Sequence, residues 1–548
     1  MPLVPYTGPF GRAQLLHLLR RSLFGATPAD LAHFDGLSLD AVIDELLTFT
    51  NDTAPPVKSY AVGGDPNALD PSVPFGTTWV DTPRDPPDDT DVIQARLVSW
   101  AAWWMRQLTG QQRNLREKLT LFWHDHMPTQ LGVVFHSEAS YRMQQLLRTQ
   151  CGGNFRQLIH DVTVEPAMLI YLNGRYNVSF APDENYGREL FELFTCGHGS
   201  GYTEGDVQAA ARVLTGWGIQ EDIDGTPILP QTIFRPLFHT ATDKQFSAFF
   251  NNTVITGQSG ADAGEVELNA LLDMIMAQEA CSLSICRALY RFFVHGDIAP
   301  EVETDVIQPL AELFRQEQSA PDQIRTVLRA LLTSTHFFSD DVIGCMVKSP
   351  ADLVIGDIRM FGFPLPDTAL NEADLQVHLE FYWLVSYAGQ TLAEPPNVAG
   401  WPAYYLHPAY DRLWLDTATF PARNNALLGL IYSTIETPSD TVLPASADLS
   451  FRTDLVAFTQ ELQNPSNPNA LIDQLVELMY VHPISPAVKQ QLKQAYLLFG
   501  QTNDIYWSDA YELYVADPNT TSMTAQLVPD ILRWLVGDMQ KAAERHLY

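Results

Sequence analysis

Apolar residues recur along this chain at helical rather than strand spacing. In the runs Ala29 to Phe34 and Asp40 to Leu47 they fall three and four apart, the repeat of a single helix face. The punctuation around them is helical too. Thr27-Pro28-Ala29-Asp30 supplies a capping hydroxyl, a proline suited to the first helical position and a carboxylate in the first turn. Ser349-Pro350-Ala351-Asp352 repeats that start before Leu353, Val354 and Ile358, and Val528-Pro529-Asp530 opens a last amphipathic run through Trp534 and Met539. Strand-like alternation is short and rare. The pattern predicts an all-α protein: one large multi-helix domain broken by irregular loop insertions, with room for a small β-hairpin.

Three stretches break the helical pattern. Residues 51–91 are rich in Pro, Asp, Gly and Thr and read as a long loop covering or leaving the helical body. Their acidic residues lack the spacing of a calcium loop, so a solvated loop is the expectation. Residues 218–260 carry short β-branched runs in an otherwise irregular insertion, the place for the hairpin. The stretch from Glu436 to Ser450 is expected to divide a main domain, 1–435, from a C-terminal helical region, 436–548. No internal repeat or low-complexity tract is visible.

Composition narrows the function classes. The chain has 548 residues, 46% of them hydrophobic, enough for a large core, and carries 65 acidic against 33 basic side chains, a formal net charge of −32. Such a surface repels phosphate backbones, which argues against nucleic-acid binding, and disfavours anionic membrane surfaces. No window approaches the roughly 20 apolar residues of a membrane helix, so a soluble chain without membrane insertion is expected. A small-molecule substrate, a polymer, a cationic partner or a divalent metal ion stays compatible with the charge. Residues 1–11 show no basic start followed by an apolar run, so no secretory signal is seen. The five cysteines form neither a disulfide framework nor a Cys-x-x-Cys knuckle, and read as buried free thiols.

The richest polar segment runs from Asp183 to Trp217. Leu190, Phe191, Leu193 and Phe194 alternate with Arg188, Glu189 and Glu192 on a helix that Gly197 can end. Glu189 and Glu192 share a face, and Arg188 and Glu192 stand at ion-pair spacing. Thr203 caps a second helix that carries Arg212 and ends near Trp217. A short connection predicts antiparallel packing, with the Glu and Arg side chains meeting inside. Two readings stay open: a carboxylate-rich pocket for acid–base or metal chemistry, or a buried Glu–Arg network that fixes the helix pair.

A second segment ends in Trp123-His124-Asp125-His126-Met127-Pro128. Histidines two apart on a continuous helix splay by about 200°. Pro128 pushes Met127 out of helical geometry, so the helix should end near His126 and let His124 and His126 face one site, with Asp125 as orienter or ligand. Satisfied core histidines are the alternative. Weaker candidates are His239, with Asp243 and Lys244, in the irregular insertion, and the rigid turn Glu394 to Pro402. In that turn Asn397 and Trp401, together with Trp217, are candidate binding residues; a packed corner is the alternative. No Walker A loop, dinucleotide fingerprint, His-Glu-x-x-His, Gly-x-Ser-x-Gly elbow or ferritin-like Glu-x-x-His set is present.

Taken in order, the blocks His17 to Gly25, Glu117 to His126, Gly153 to Arg156, Glu165 to Leu169, Glu184 to Gly197, Tyr202 to Trp217, Lys348 to Pro350 and Pro395 to Trp401 resemble the bacterial family known as domain of unknown function 1800, over about residues 10–430. The resemblance implies a long helical protein of an often exported family, frequently encoded beside an alkaline-phosphatase-like protein, and brings no established activity. Two departures stand out. The family's His-Asp is followed by Gly and Lys, whereas here His239 is followed by Thr240, with Asp243 as the available substitute. The loop before the Tyr-Thr-Glu block is lengthened by His198-Gly199-Ser200-Gly201, which bears on access to the site.

Two functions are therefore carried forward. One is an enzyme, hydrolase or oxidoreductase, with catalytic candidates Glu184, Arg188, Glu189, Glu192, Arg212 and His239, and metal-ligand candidates His124, His126, Glu189 and Glu192. The other is a non-catalytic extracellular or cell-surface binding or assembly protein whose Glu/Arg cluster is structural. Substrate, metal identity and oligomeric state are left open by the sequence.

Overall fold

The computed structural model describes residues 3–50, 54–367, 371–436 and 450–548. The proline-led starts begin helices, for the reason their chemistry gives. Thr27 Oγ1 accepts the Asp30 amide at 3.0 Å while the Asp30 carboxylate accepts the Thr27 amide at 3.2 Å, closing a capping box on Pro28–Phe34. Ser349 caps Pro350–Met360 in the same way through the Asp352 amide at 3.1 Å. Helices dominate the described residues, and every sheet is a two-stranded ladder. The chain is all-α.

Helix Thr90–Thr109 packs along Asn371–Tyr387, Arg116–His126 against Ser137–Gln150, and Glu279–Phe293 against Gln308–Gln316. Trp100 and Trp104, four apart and so on one helix face, meet at 5.5 Å between ring centroids. Together with Trp79, Trp123 and Trp507 they are the largest side chains shut away completely from solvent. The segments after residue 450 fold back onto helix Arg12–Ser22 and the start of Pro350–Met360. Arg20 donates to the Tyr480 carbonyl at 3.0 Å, Lys348 to the Arg545 carbonyl at 2.9 Å, and the Tyr548 hydroxyl to Asp352 at 2.8 Å. Of the expected dividing stretch, 437–449 lies outside the described residues; its flanks pair as the ladder Ile435–Glu436 with Ser450–Phe451.

The long acidic loop is held tightly. The buried Lys58 ammonium donates to the carbonyls of Leu69, Asp70 and Val73 at 2.7, 2.7 and 3.1 Å. Asp70 in turn takes both arms of the buried Arg96 at 2.8 and 2.9 Å. A buried cation surrounded by carbonyl dipoles acts as a staple for residues 54–89. Replacing Lys58 with Met should cost about 1–3 kcal/mol and open this loop to proteases. Denaturant unfolding and limited proteolysis check it, and an unchanged cleavage rate would refute the staple.

The insertion after residue 216 forms the expected hairpin. Trp217–Ile223 pairs antiparallel with Thr226–Phe234 across Asp224-Gly225, both at positive φ, the two-residue turn whose twist suits a hairpin. Among the described residues no helix is long and apolar enough to cross a membrane.

Candidate functional site

Helix Arg116–His126 ends where Pro128 predicts, with Met127 already out of helical geometry at φ −130° and ψ 67°. The two histidines nevertheless part. His124 turns into the core, edge-on to Trp104 at 5.0 Å and 6.2 Å from Trp401, and its Nε2 has no hydrogen-bond partner among the described residues. His126 stacks on Phe122 at 5.8 Å and donates from Nε2 to the Phe194 carbonyl at 3.1 Å. Burial lowers both imidazoles to about 4, so both are neutral near pH 7. In His126 a bond to a carbonyl fixes the proton on Nε2 and leaves a lone pair on Nδ1.

Between them, Asp125 is only 6% exposed. Its Oδ1 accepts the Trp401 amide at 2.8 Å, and its other oxygen takes no hydrogen bond from any described residue. Burial pushes this carboxyl well above the usual carboxylate range, offset only in part by the Trp401 amide. Gly400, at φ +83°, makes the approach possible, because a Cβ there would run into the Asp125 carboxyl. Gly400→Ala should therefore lower stability by about 2 kcal/mol or more. A thermal melt tests this, and an unchanged midpoint would show that the turn can move aside.

Asp125 and His126 open on one cavity of about 280 Å³. Its other walls come from three elements distant in sequence. Leu190–Phe194 is a π-helical turn continuing the helix Asn185–Glu189, and it brings Glu192 to the cavity. Glu192 is held there by His198 Nδ1 at 2.7 Å and by the Tyr202 hydroxyl at 3.4 Å. Helix Glu279–Phe293 brings Arg291 and Phe292, and the turn after Pro395 brings Ala399, Tyr404 and Tyr405. Asn397 steadies this turn, accepting the Ala399 amide at 2.8 Å and donating to the Tyr405 hydroxyl at 3.1 Å. Trp401 is buried; its contribution is the amide that holds Asp125.

The remaining sequence candidates lie elsewhere. Arg188 bridges Glu184 at 3.1 Å and Glu204 at the surface rather than inside, all three side chains more than a third exposed, where such pairs contribute about 0–1 kcal/mol. The helix pair is joined instead by Gly187, whose missing side chain lets the first helix close on Val207 and Ala211. Glu189 is half-buried, pushed up by burial and then by Glu192, and sits with Glu394 near the Tyr171 phenol. Arg212 lies near Lys244, and Trp217 packs edge-on to Phe234 at 5.2 Å.

His239 is no part of the cavity. Its Nδ1 lies 2.8 Å from the Thr215 carbonyl and its Nε2 3.1 Å from Glu267, which also pairs with Lys244 at 2.5 Å. Asp243 accepts the Gly257 amide at 2.8 Å. The metal-ligand set likewise does not assemble. His124 faces tryptophans, Glu189 faces Tyr171, and only His126 and Glu192 reach the cavity. Among the described residues no three His, Cys, Asp or Glu side chains are grouped to hold a metal ion.

A wider surface groove of about 1060 Å³ lies between residues 149–157 and 314–325. Its charged lining is Arg156, Asp273, Arg315 and Arg325. Sequence reading missed Arg291, which looks like an ordinary basic residue near the end of an amphipathic helix. It also ranked Asp125 below its histidine neighbours. The aromatic run before Asp125 and the proline after it were the available signal for a buried acid at a helix end.

The family model described as "Protein of unknown function (DUF1800)" matches residues 17–521, and the chain belongs to that family. No curated protein and no solved structure matches it.

Proposed function

We propose that this member of a family of unknown function is an acid–base enzyme for a small molecule bound in the 280 Å³ cavity. Asp125 is the proton donor and His126 Nδ1 the proton acceptor. The observation that carries the reading is Asp125 itself, a carboxyl 6% exposed, with one oxygen unbonded, opening on the same cavity as a tautomer-fixed imidazole. Burying a carboxyl without a cationic partner is costly, and such groups cluster where proton transfer is needed. Burial moves the two groups in the directions the roles need, the Asp125 carboxyl up and the His126 imidazole down to about 4.

Glu192 is the third titratable wall. Asn397, Gly400 and Trp401 position Asp125 and Tyr405 and do not react. Hydrolysis, elimination and isomerisation all need one acid and one base, so the reading fixes the proton inventory and leaves the bond broken to the substrate. No step requires a redox group or a metal.

Exposing a broad mixture of small metabolites to the full chain, with mass spectrometry as readout, tests this. At least one compound should be consumed by the wild type and spared by Asp125→Asn and His126→Gln. Consumption by all three alike would refute the assignment. Binding without consumption would make the chain a non-catalytic binding protein.

A further inference from the structure

We infer that Arg291 anchors a carboxylate of the ligand, so that the cavity takes a small monocarboxylate with a flat apolar body. The inference deepens the acid–base reading of the same cavity and rests on it for the choice of site. Arg291 has no countercharge among the described residues. Most Lys and Arg side chains of the chain pair with a carboxylate. Arg96 holds Asp70 and Glu138, Arg148 holds Glu117, and Arg287 holds Glu303. Arg291 makes no hydrogen bond or ion pair with any described residue. It is partly buried, its Nε shut away from solvent, and its guanidinium is braced 5.1 Å from the centre of the Tyr410 ring. A stacked guanidinium with unused N–H groups, lining a cavity, is a preset fork for a planar oxyanion.

The rest of the lining chooses among oxyanions. No lysine lines the cavity, and Glu192 stands on its wall, so one positive charge is available and a second negative charge would be repelled. A monocarboxylate fits that count better than a phosphate dianion. Phe122, Leu193, Ala288, Phe292 and Tyr404 supply apolar wall, with Phe292 tilted against Tyr404 at 5.1 Å. The volume equals roughly nine waters at about 30 Å³ each, room for one ring and its carboxylate and too little for a polymer.

Benzoate is the probe, with benzamide as its neutral shape-mate and inorganic phosphate as the competing oxyanion, all titrated calorimetrically into the full chain. Benzoate should bind saturably, and benzamide at least about tenfold more weakly. Arg291→Met should weaken benzoate by a similar factor, with Arg291→Lys in between because it keeps the charge and loses the fork. Thermal melts of both variants guard against misfolding, and Arg291→Gln serves if Met does not fold. Equal binding of benzoate and benzamide, undiminished binding by Arg291→Met, or tighter binding of phosphate at the same site would overturn the inference. Asp125→Asn separates it from the functional reading. Benzoate binding retained in a wild type that turns nothing over would leave the anion site standing and remove the enzyme. Turnover of a neutral compound without benzoate binding would do the reverse.

Discussion

Glu267→Gln should destabilise the folded chain by about 3–5 kcal/mol, the range found when one partner of a buried ion pair is removed. Glu267 and Lys244 are both wholly buried, 2.5 Å apart. Glu267 also accepts the Gln258 amide at 2.7 Å and stands 3.1 Å from His239, so one carboxylate binds helix Ala263–Met276 to three points of the preceding irregular insertion. Glutamine keeps the shape and an acceptor for Gln258 but leaves the Lys244 ammonium without its countercharge. Burial already lowers the lysine, with Glu267 opposing that shift. Without Glu267 its folded pKa falls further, so the unfolded chain binds the extra proton below about pH 10.4. Stability lost at pH 7 should therefore return partly as pH rises toward that value. Denaturant unfolding at pH 7 and pH 9.5 measures this, and Lys244→Met combined with Glu267→Gln should recover most of the loss. A Glu267→Gln variant as stable as wild type at pH 7 would show that the triad is not the clamp.

This clamp also shows what sequence could and could not deliver. Helix starts were legible because their causes are local: Thr27 and Ser349 cap through residues three positions away. The helix end at His126 was legible for the same reason, through Pro128. The partners of His239 were not legible, because they include Glu267, 28 positions on in an ordinary amphipathic helix. Nothing local says that two such residues are buried together. The loop 51–91 was read as solvated for a similar reason: its composition is that of a loop, while its anchors, Arg96 and Glu138, lie outside it.

The cavity was half legible. His126, Glu192, Asn397 and Trp401 belong to segments that the sequence had marked, whereas Arg291 does not. Asp125 sat between the two flagged histidines, but its importance comes from the Trp401 amide and Gly400, more than 270 positions away. Helical geometry parts His124 from His126, and the π turn sets Glu192 but not Glu189 toward the cavity. The first follows from their spacing on a helix that runs through His126, and the second is a local irregularity that a linear pattern does not encode.

Asp125→Asn should make the protein more stable and less active at once, with the stability gain growing as pH rises. Asn keeps an acceptor for the Trp401 amide and removes the ionisable group. In the wild type the folded pKa of Asp125 lies well above its unfolded value near 3.9. Between those two values the folded state binds more protons than the unfolded one, so wild-type stability falls as pH rises through that window. The variant has no such penalty. Its advantage should open above about pH 4 and widen by up to about 1.4 kcal/mol per pH unit until the wild-type carboxyl ionises. The titratable and charged groups around the cavity are His126, Glu192, His198, Arg291, Tyr404 and Tyr405. They are the same in both proteins, and Arg291, the fixed cation among them, lacks a direct contact with Asp125. Loss of a general acid lowers turnover by roughly 10²- to 10⁴-fold. The two signs together identify function, because a carboxyl kept for stability would give the opposite stability change. Unfolding at pH 5 and 7.5 beside a kcat profile decides it. An advantage that does not grow with pH would mean that Asp125 is ionised in the fold, and undiminished turnover would mean that the proton comes from another group.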